Sequence, residues 1–298
     1  LGENPDYRPV PNINGTRSLN QVGSNFSFKD KYGIVSRGMK DIAHFMTPVK
    51  YMIYPFGTSE RSGLTMMISP VEPERFRVIK KYGKDRNATV NDMILAIFLR
   101  SFYQTINSHP ESLMRVVATV DLRRYTKIRR AGALCNLSGF LYLGIGKKVN
   151  EPFDRTLSKV RNFMHSYKGD YIGMGNFFIT IPFFKLLPFP VSLWLHDRMG
   201  NMQKKQTRTA GRVAPLYTNV GNINHNGMLF GDLEATDVFI TTTVPYPPVL
   251  ALCLTTFKER MTMSIGFCES CVSKKDVRIL VDKIQEQVDE VVQLAKSM

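Results

Sequence analysis

The chain has 298 residues, enough for one large domain or two modest ones. Hydrophobic residues make up 43% and charged residues 22%, a balance typical of soluble globular proteins that excludes a disordered chain, a coiled coil and a collagen. The formal net charge of +15 predicts an anionic partner, and the charge alone leaves nucleic acid, a lipid surface and a phosphorylated small ligand open.

Residues 1–48 are rich in Pro, Gly, Asn and Ser, which predicts an extended strap or linker without a core. The chain begins at Leu1, and we expect an upstream portion to precede it. Beyond the strap, strand and helix patterns alternate without an internal repeat, so residues 49–298 are predicted to form one α/β unit. The four cysteines form no paired framework, which favours a reducing, cytoplasmic location.

Three segments have helix patterns. Thr89 and Asp92 form a capping box ahead of a run that is apolar on all sides, so this helix is expected in the interior behind a sheet. Residues 150–167 show a weaker amphipathic period. Ser273 and Asp276 begin the last helix, whose apolar residues recur at the helical period and predict a surface helix that closes the fold.

Strand patterns, rich in β-branched and aromatic residues, occupy residues 115–120, 134–145 and 238–244. The best is a hairpin formed by residues 249–257 and 261–267 around a polar turn, with one face expected to be more buried than the other. Residues 177–195 are almost wholly apolar, but three prolines and Lys185 interrupt them. They are therefore predicted to form a buried or tunnel-lining helical segment, not a transmembrane one.

Motifs for a nucleophile or a metal are weak. Cys268 and Cys271 have zinc-like spacing, but no second Cys/His pair fits, and no metal is expected. A basic cluster precedes a predicted strand and is a candidate for binding phosphate, with a solvated surface as the alternative: Lys204, Lys205, Arg208 and Arg212.

Four segments carry a family resemblance through their order and spacing: Thr89-Val-Asn-Asp92, Thr119-Val-Asp-Leu-Arg-Arg124, Asn136-Leu-Ser-Gly139 and Tyr217-Thr-Asn-Val-Gly221. Together they resemble the C-terminal half of condensation-type acyltransferases, a superfamily that includes chloramphenicol acetyltransferase, peptide-synthetase condensation domains, wax ester synthases and bacterial alcohol acetyltransferases. The last two are the branch suggested here. The resemblance implies a mixed α/β sheet flanked by helices, one chloramphenicol acetyltransferase-like subdomain plus an N-terminal strap.

The resemblance also implies a function. Relatives transfer an acyl group from a coenzyme A or phosphopantetheine thioester to an alcohol or amine, using a histidine of the motif His-His-x-x-x-Asp-Gly as general base. That motif is absent from this sequence and is expected upstream, in a missing N-terminal subdomain, so no catalytic residue is assigned here and the chain alone is expected to be inactive.

Site residues follow from the same resemblance. Arg123 matches an arginine that pairs with the aspartate of the histidine motif, and a surface arginine is the alternative. Asn136, Ser138 and Gly139 match a strand that faces the substrate tunnel and leaves room for the thioester arm. Candidates near the tunnel in a further loop are Thr218, Asn219 and Gly221. Ordinary sheet and turn positions are the alternatives for both groups.

Two other functions remain open at the level of sequence. A non-catalytic relative could use the tunnel as a docking surface for another protein. A basic nucleic-acid-binding protein would also have this charge, but the chain lacks a recognised module and regular aromatic interleaving, so no specific nucleic acid is expected.

Overall fold

A mixed six-stranded sheet forms the centre of the chain in a computed structural model that describes residues 14–46, 63–106, 113–146, 151–167, 171–210, 214–223, 229–230, 233–242 and 250–297. In chain order the elements are α1 (Asn20–Gly23), α2 (Phe28–Met46), β1 (Leu64–Val71), α3 (Pro73–Asp85), α4 (Val90–Thr105), β2 (Arg115–Asp121), a 3₁₀ helix (Leu122–Tyr125), β3 (Ser138–Gly144), α5 (Phe153–Ser166), α6 (Met174–Leu186), α7 (Phe189–Ala210), β4 (Leu216–Asn222), β5 (Leu229–Phe230), β6 (Leu233–Glu234), β7 (Ala251–Phe257), β8 (Arg260–Cys268) and α8 (Lys274–Lys296).

The strand order in the sheet is β1-β8-β7-β4-β2-β3. Strand β4 is parallel to both β2 and β7, whereas the β1–β8, β7–β8 and β2–β3 pairs are antiparallel. The predicted mixed α/β sheet flanked by helices is therefore confirmed. Parallel strands bring their carboxyl ends to one edge of a sheet, which is where α/β proteins place their sites.

Helix α4 lies inside the core, as its capping box and apolar run predicted. The Thr89 side chain accepts a hydrogen bond from the Asp92 amide, and the Asp92 carboxylate accepts one from the Thr89 amide at 2.8 Å. Every residue from Asp92 to Tyr103 is buried, because α4 packs between the sheet and the terminal helix α8. A helix enclosed on all sides has no polar face to show in its sequence.

The predicted hairpin is confirmed as β7 and β8. Its turn residues Lys258 and Glu259 both have positive φ angles, 45° and 61°, which a two-residue type I′ turn requires. The expectation that one face would be less buried is wrong, because side chains on both faces of β8 are buried from Met261 to Cys268. Helices cover one face, and residues 237–242 cross the other.

Residues 238–242 form no strand, contrary to the prediction for residues 238–244, the last two of which lie outside the described residues. Their backbone groups bind side chains on the sheet face and not a strand edge. The Ile240 amide donates to Thr255 Oγ1 at 3.0 Å, and the Thr242 amide donates to Ser264 Oγ at 3.3 Å. The prediction for residues 134–145 was too long, since β3 begins at Ser138.

The predicted extended strap is wrong for residues 20–46, which are largely helical. Helices α1 and α2 pack on α6 and form a second apolar cluster that includes Val22, Phe26 and Ile34. The prediction fails because α2 and α6 cross closely at two glycines: a Cβ on Gly38 would lie 2.6 Å from the Gly175 Cα. Gly38 therefore marks a contact between two helices and not a flexible linker. The domain boundary at residue 48 stays a prediction.

Residues 177–195 are helical, as predicted, and they belong to α6 and α7. They are not buried as expected: only the first residues of α6 pack on α2, and Leu186 and Phe189 are 84% and 78% exposed. Among the described residues, no helix is both long enough and apolar enough to cross a membrane.

Candidate functional site

One face of the sheet lies away from the core helices and carries small polar side chains. Side chains alternate between the two faces of a strand. Ala118, Tyr217 and Leu252 point into the apolar core under α3, α4 and α8. Their neighbours Thr119, Thr218 and Cys253 therefore point to the opposite face, which we call the polar face.

Four of these side chains form a row across four strands. The Thr119 and Thr218 hydroxyls share a short hydrogen bond, and strand register places Thr218 beside Cys253 and Cys253 beside Ser264. Residues 237–242 cover Ser264, which is fully buried, whereas Thr119 and Thr218 are only partly buried. The accessible end of the row thus lies over β2 and β4.

An amide cluster ties the start of α4 to β4 beside this row. Asn91 Oδ1 accepts hydrogen bonds from the Tyr217 hydroxyl at 3.0 Å and from Asn219 Nδ2 at 3.2 Å. Burial raises the pKa of the Tyr217 hydroxyl well above its ordinary value, so it is a neutral donor. Asn91 therefore holds Asn219 at the end of β4, on the side of the sheet that carries α4 and opposite to Thr218.

Strand β4 is irregular where these residues lie. Its register with β7 shifts between Asn219 and Asn222, and Gly221 has a φ of +83°. The Gly221 amide donates to Asn219 Oδ1 at 2.9 Å. A bulge of this kind leaves backbone groups outside the ladder and redirects side chains at a strand end. Thr218, Asn219 and Gly221 thus lie in a strand with an irregular end and not in a loop, and their place near a tunnel stays a prediction.

Arg123 approaches a carboxylate, but that carboxylate belongs to Asp121. Its Nη1 lies 3.0 Å from Asp121 Oδ1, which also accepts the Arg123 amide at 3.0 Å. The Arg123 side chain is 40% exposed, and Arg124 is exposed with its guanidinium 5.6 Å from the Tyr125 ring. The two arginines lie in a 3₁₀ helix and not in an extended segment.

Asn136, Ser138 and Gly139 lie at the same edge as Asp121, which pairs with Ser138. Asn136 and Ser138 are exposed, and the Ser138 amide donates to Asn136 Oδ1 at 3.1 Å. Gly139 is buried on the core side, where a Cβ would lie 2.2 Å from the Gly173 carbonyl oxygen. The room that Gly139 leaves is therefore filled by the chain itself and not open to a thioester arm.

The candidate phosphate-binding residues belong to α7 and not to a strand end. Lys204, Lys205 and Arg208 lie in its C-terminal half, and the Lys205 side chain is exposed. Arg212 lies outside the described residues. Cys268 and Cys271 are buried thiols, and the described residues hold no group of three or more His, Cys, Asp or Glu side chains that could bind a metal.

Sequence reasoning missed four residues of the site. They are Asn91, which accepts hydrogen bonds from Tyr217 and Asn219, and the row members Thr119, Cys253 and Ser264. A small polar residue at every second position marks the polar face on β7 and β8, but such residues also occur on any solvated strand. The register that aligns them across strands is a property of the tertiary structure.

Solved structures with a similar fold include an acetyltransferase and domains of peptide synthetases. The trichothecene 15-O-acetyltransferase from Fusarium sporotrichioides matches with a TM-score of 0.64 at 12% identity, over 93% of this chain and 54% of that one. The epimerization domain of tyrocidine synthetase B has a TM-score of 0.61 at 10% identity, over 94% and 60%. The chain has the condensation-domain and chloramphenicol acetyltransferase-like fold. The cyclization-docking bidomain from Sorangium cellulosum has the same fold, with a TM-score of 0.58 at 12% identity, over 92% and 50%.

This condensation-like chain spans about half the length of the solved structures it matches. No family sequence model matches it, and no curated protein matches it by sequence. The likeness at 10–12% identity is thus one of fold, and the polar face is the part of that fold free of the core helices.

Proposed function

We propose that this chain is the second half of an acyltransferase, which moves an acyl group from a coenzyme A or carrier-protein thioester to an alcohol or amine. The general base, the histidine of a His-His-x-x-x-Asp-Gly motif, belongs to the upstream portion. The observation that carries the proposal is the end of β4: the Thr218 hydroxyl on the polar face and the exposed Asn219 amide on the opposite side both lie at the carboxyl ends of parallel strands, in a fold that an acetyltransferase and condensation domains share.

The chemistry assigned to each part is simple. The base removes the proton of the acceptor, whose oxygen or nitrogen attacks the thioester carbonyl, and the thiolate leaves and receives a proton. In this proposal Thr218 and Asn219 bind the amide groups of the pantetheine arm, because both side chains can donate and accept hydrogen bonds. Arg123 is assigned to the aspartate of the upstream motif and would exchange Asp121 for it.

The basic surface complements the donor. Coenzyme A and phosphopantetheine carry phosphates, and lysines and arginines attract such groups over a distance set by the ionic strength. Within this proposal Lys205 and its neighbours Lys204 and Arg208 contribute to that attraction.

Titration of the purified chain with coenzyme A in a calorimeter tests the donor site. We expect binding that weakens roughly 10-fold in the Thr218→Val/Asn219→Ala double variant, because it removes two hydrogen-bonding side chains, and that is unchanged in Thr105→Val, a partly buried threonine on α4. If coenzyme A binds the double variant as tightly as the unmodified chain, or does not bind at all, the assignment of the donor to the end of β4 is wrong.

A thiol-release assay with acetyl coenzyme A and an alcohol tests the position of the base. The chain alone is expected to give no turnover, since loss of a general base typically lowers the rate ~10²- to 10⁴-fold. Measurable turnover by this chain would place the base within it and refute that part of the proposal.

A further inference from the structure

Helix α7 is 22 residues long, yet none of its described side chains is buried. Helix α6 packs on α2 near its N-terminal end but is exposed toward its C-terminal end. Helices in globular proteins are held mostly by burying an apolar stripe. The distal part of this helical pair therefore lacks the packing that its composition is suited to make.

The exposed side chains where α6 meets α7 are large and apolar. We call residues 183–194 the α6–α7 tip. Leu186 is 84% exposed, Phe189 is 78% exposed and Trp194 is 60% exposed. Three more exposed members of the tip are Phe183, Val191 and Leu193. Contiguous exposed apolar surface of this kind marks an interaction site.

Basic residues lie within the tip and next to it. Lys185 is exposed inside the tip, Arg198 is exposed just beyond it, and Lys205 is exposed farther along α7. Residues 174–210 contain five basic residues but one acidic residue, Asp197. This composition, in a chain with a net charge of +15, is complementary to an anionic surface.

We propose that the α6–α7 tip docks on the surface of an anionic lipid bilayer. The apolar side chains are exposed around the end of the helical pair and not along one stripe, a distribution that suits immersion in the boundary between headgroups and acyl chains better than contact with one flat protein face. Tryptophan, phenylalanine and leucine favour that boundary, and lysine and arginine bind the anionic headgroups beside it.

Trp194 reports on this site directly, because it is the only tryptophan in the chain. The experiment adds vesicles of phosphatidylglycerol and phosphatidylcholine to the 298-residue chain and records tryptophan emission and co-sedimentation. We expect a blue shift of the emission and binding to these vesicles, with much weaker effects in pure phosphatidylcholine. High salt is expected to weaken the binding, because it screens the basic residues from the headgroups.

Two variants locate the docking site. Leu186→Asp/Phe189→Asp keeps Trp194 and is expected to weaken binding to anionic vesicles by roughly 10-fold or more, since two apolar side chains no longer enter the bilayer. Leu134→Asp is the control, because Leu134 is 93% exposed between the 3₁₀ helix and β3, outside the tip, and this variant is expected to bind like the unmodified chain. Circular dichroism and melting temperature check that all three proteins fold alike.

Four outcomes overturn the proposal. Three of them are the absence of binding to anionic vesicles, equal binding to neutral vesicles, and equal binding by the Leu186→Asp/Phe189→Asp variant. The fourth is tryptophan emission that is already blue-shifted in buffer and changes with protein concentration, because this result would assign the tip to a second copy of the chain. Because vesicle binding requires no acyl transfer, its failure is separate from a failure of the proposed function.

Discussion

Because α2 crosses α6 at only one of its glycines, replacing each of two glycines of α2 by alanine is expected to change stability in opposite directions. A Cβ on Gly38 would lie 2.6 Å from the Gly175 Cα, whereas a Cβ on Gly33 would meet nothing within 4 Å. Replacing either glycine by alanine in a helix favours folding by about 1 kcal/mol. Only Gly38→Ala adds overpacking, because α2 and α6 must move apart by about 1 Å to restore ordinary contact.

The helix-propensity gain is the same for both variants and cancels in their comparison. Overpacking a closely packed site costs typically 1–3 kcal/mol, so Gly38→Ala should be about 1–3 kcal/mol less stable than Gly33→Ala. Gly33→Ala should itself be more stable than the unmodified chain by about 1 kcal/mol. Gly175→Ala, which approaches the same contact from the other side at 2.5 Å, should behave like Gly38→Ala.

Urea unfolding followed by circular dichroism measures these differences, and hydrogen exchange of α2 shows whether the helix detaches before the sheet unfolds. The expected result is faster exchange across α2 and α6 in Gly38→Ala and Gly175→Ala, but not in Gly33→Ala. If Gly38→Ala is as stable as Gly33→Ala and exchanges at the same rate, the two helices do not cross at these glycines. Residues 20–46 would then be a strap after all.

Asn91→Ala leaves the buried Tyr217 hydroxyl without its acceptor and should lower the free energy of unfolding by about 1–3 kcal/mol, whereas Tyr217→Phe/Asn91→Ala should recover part of the loss in the same urea experiment. Gly139→Ala should cost about 1–3 kcal/mol, because Gly173 backbone blocks the new Cβ, while Gly200→Ala, with nothing within 4 Å, should not destabilise the chain. Burial raises the pKa of Tyr103 and Tyr217 above the ordinary 10.0, so the stability that the two neutral hydroxyls contribute is full below pH 10 and falls as the pH rises further. A free energy of unfolding that stays constant between pH 9 and 12, or a pH slope that is unchanged in Tyr103→Phe, would contradict this.

The elements that sequence predicted well are those whose pattern is local. The capping box of Thr89 and Asp92, the Ser273 cap of α8 and the hairpin of β7 and β8 each follow from side-chain types a few residues apart. The positive φ angles at Lys258 and Glu259 show the limit of this reasoning, because neither residue favours such a conformation and the hairpin imposes it.

The errors share one physical origin. The Pro, Gly, Asn and Ser content of residues 1–48 predicts a strap, yet Gly38 is small so that α6 can touch α2. The β-branched and aromatic residues 238–242 predict a strand, yet they cross the sheet and bind Thr255 and Ser264. In both cases the partner lies far away in the chain, so local propensity was overridden by tertiary contacts.

The fold class and the segments that carry the candidate site are predictable from the sequence alone, because helix caps, strand alternation and motif order are encoded in neighbouring residues. Which side chains meet in those segments depends on how the strands and helices pack. Strand register aligned Thr119, Thr218, Cys253 and Ser264 across four strands, joined Asn91 to Asn219, and turned Gly139 toward Gly173. A shift of one residue in register moves a side chain to the other face of the sheet, and no local pattern specifies that choice.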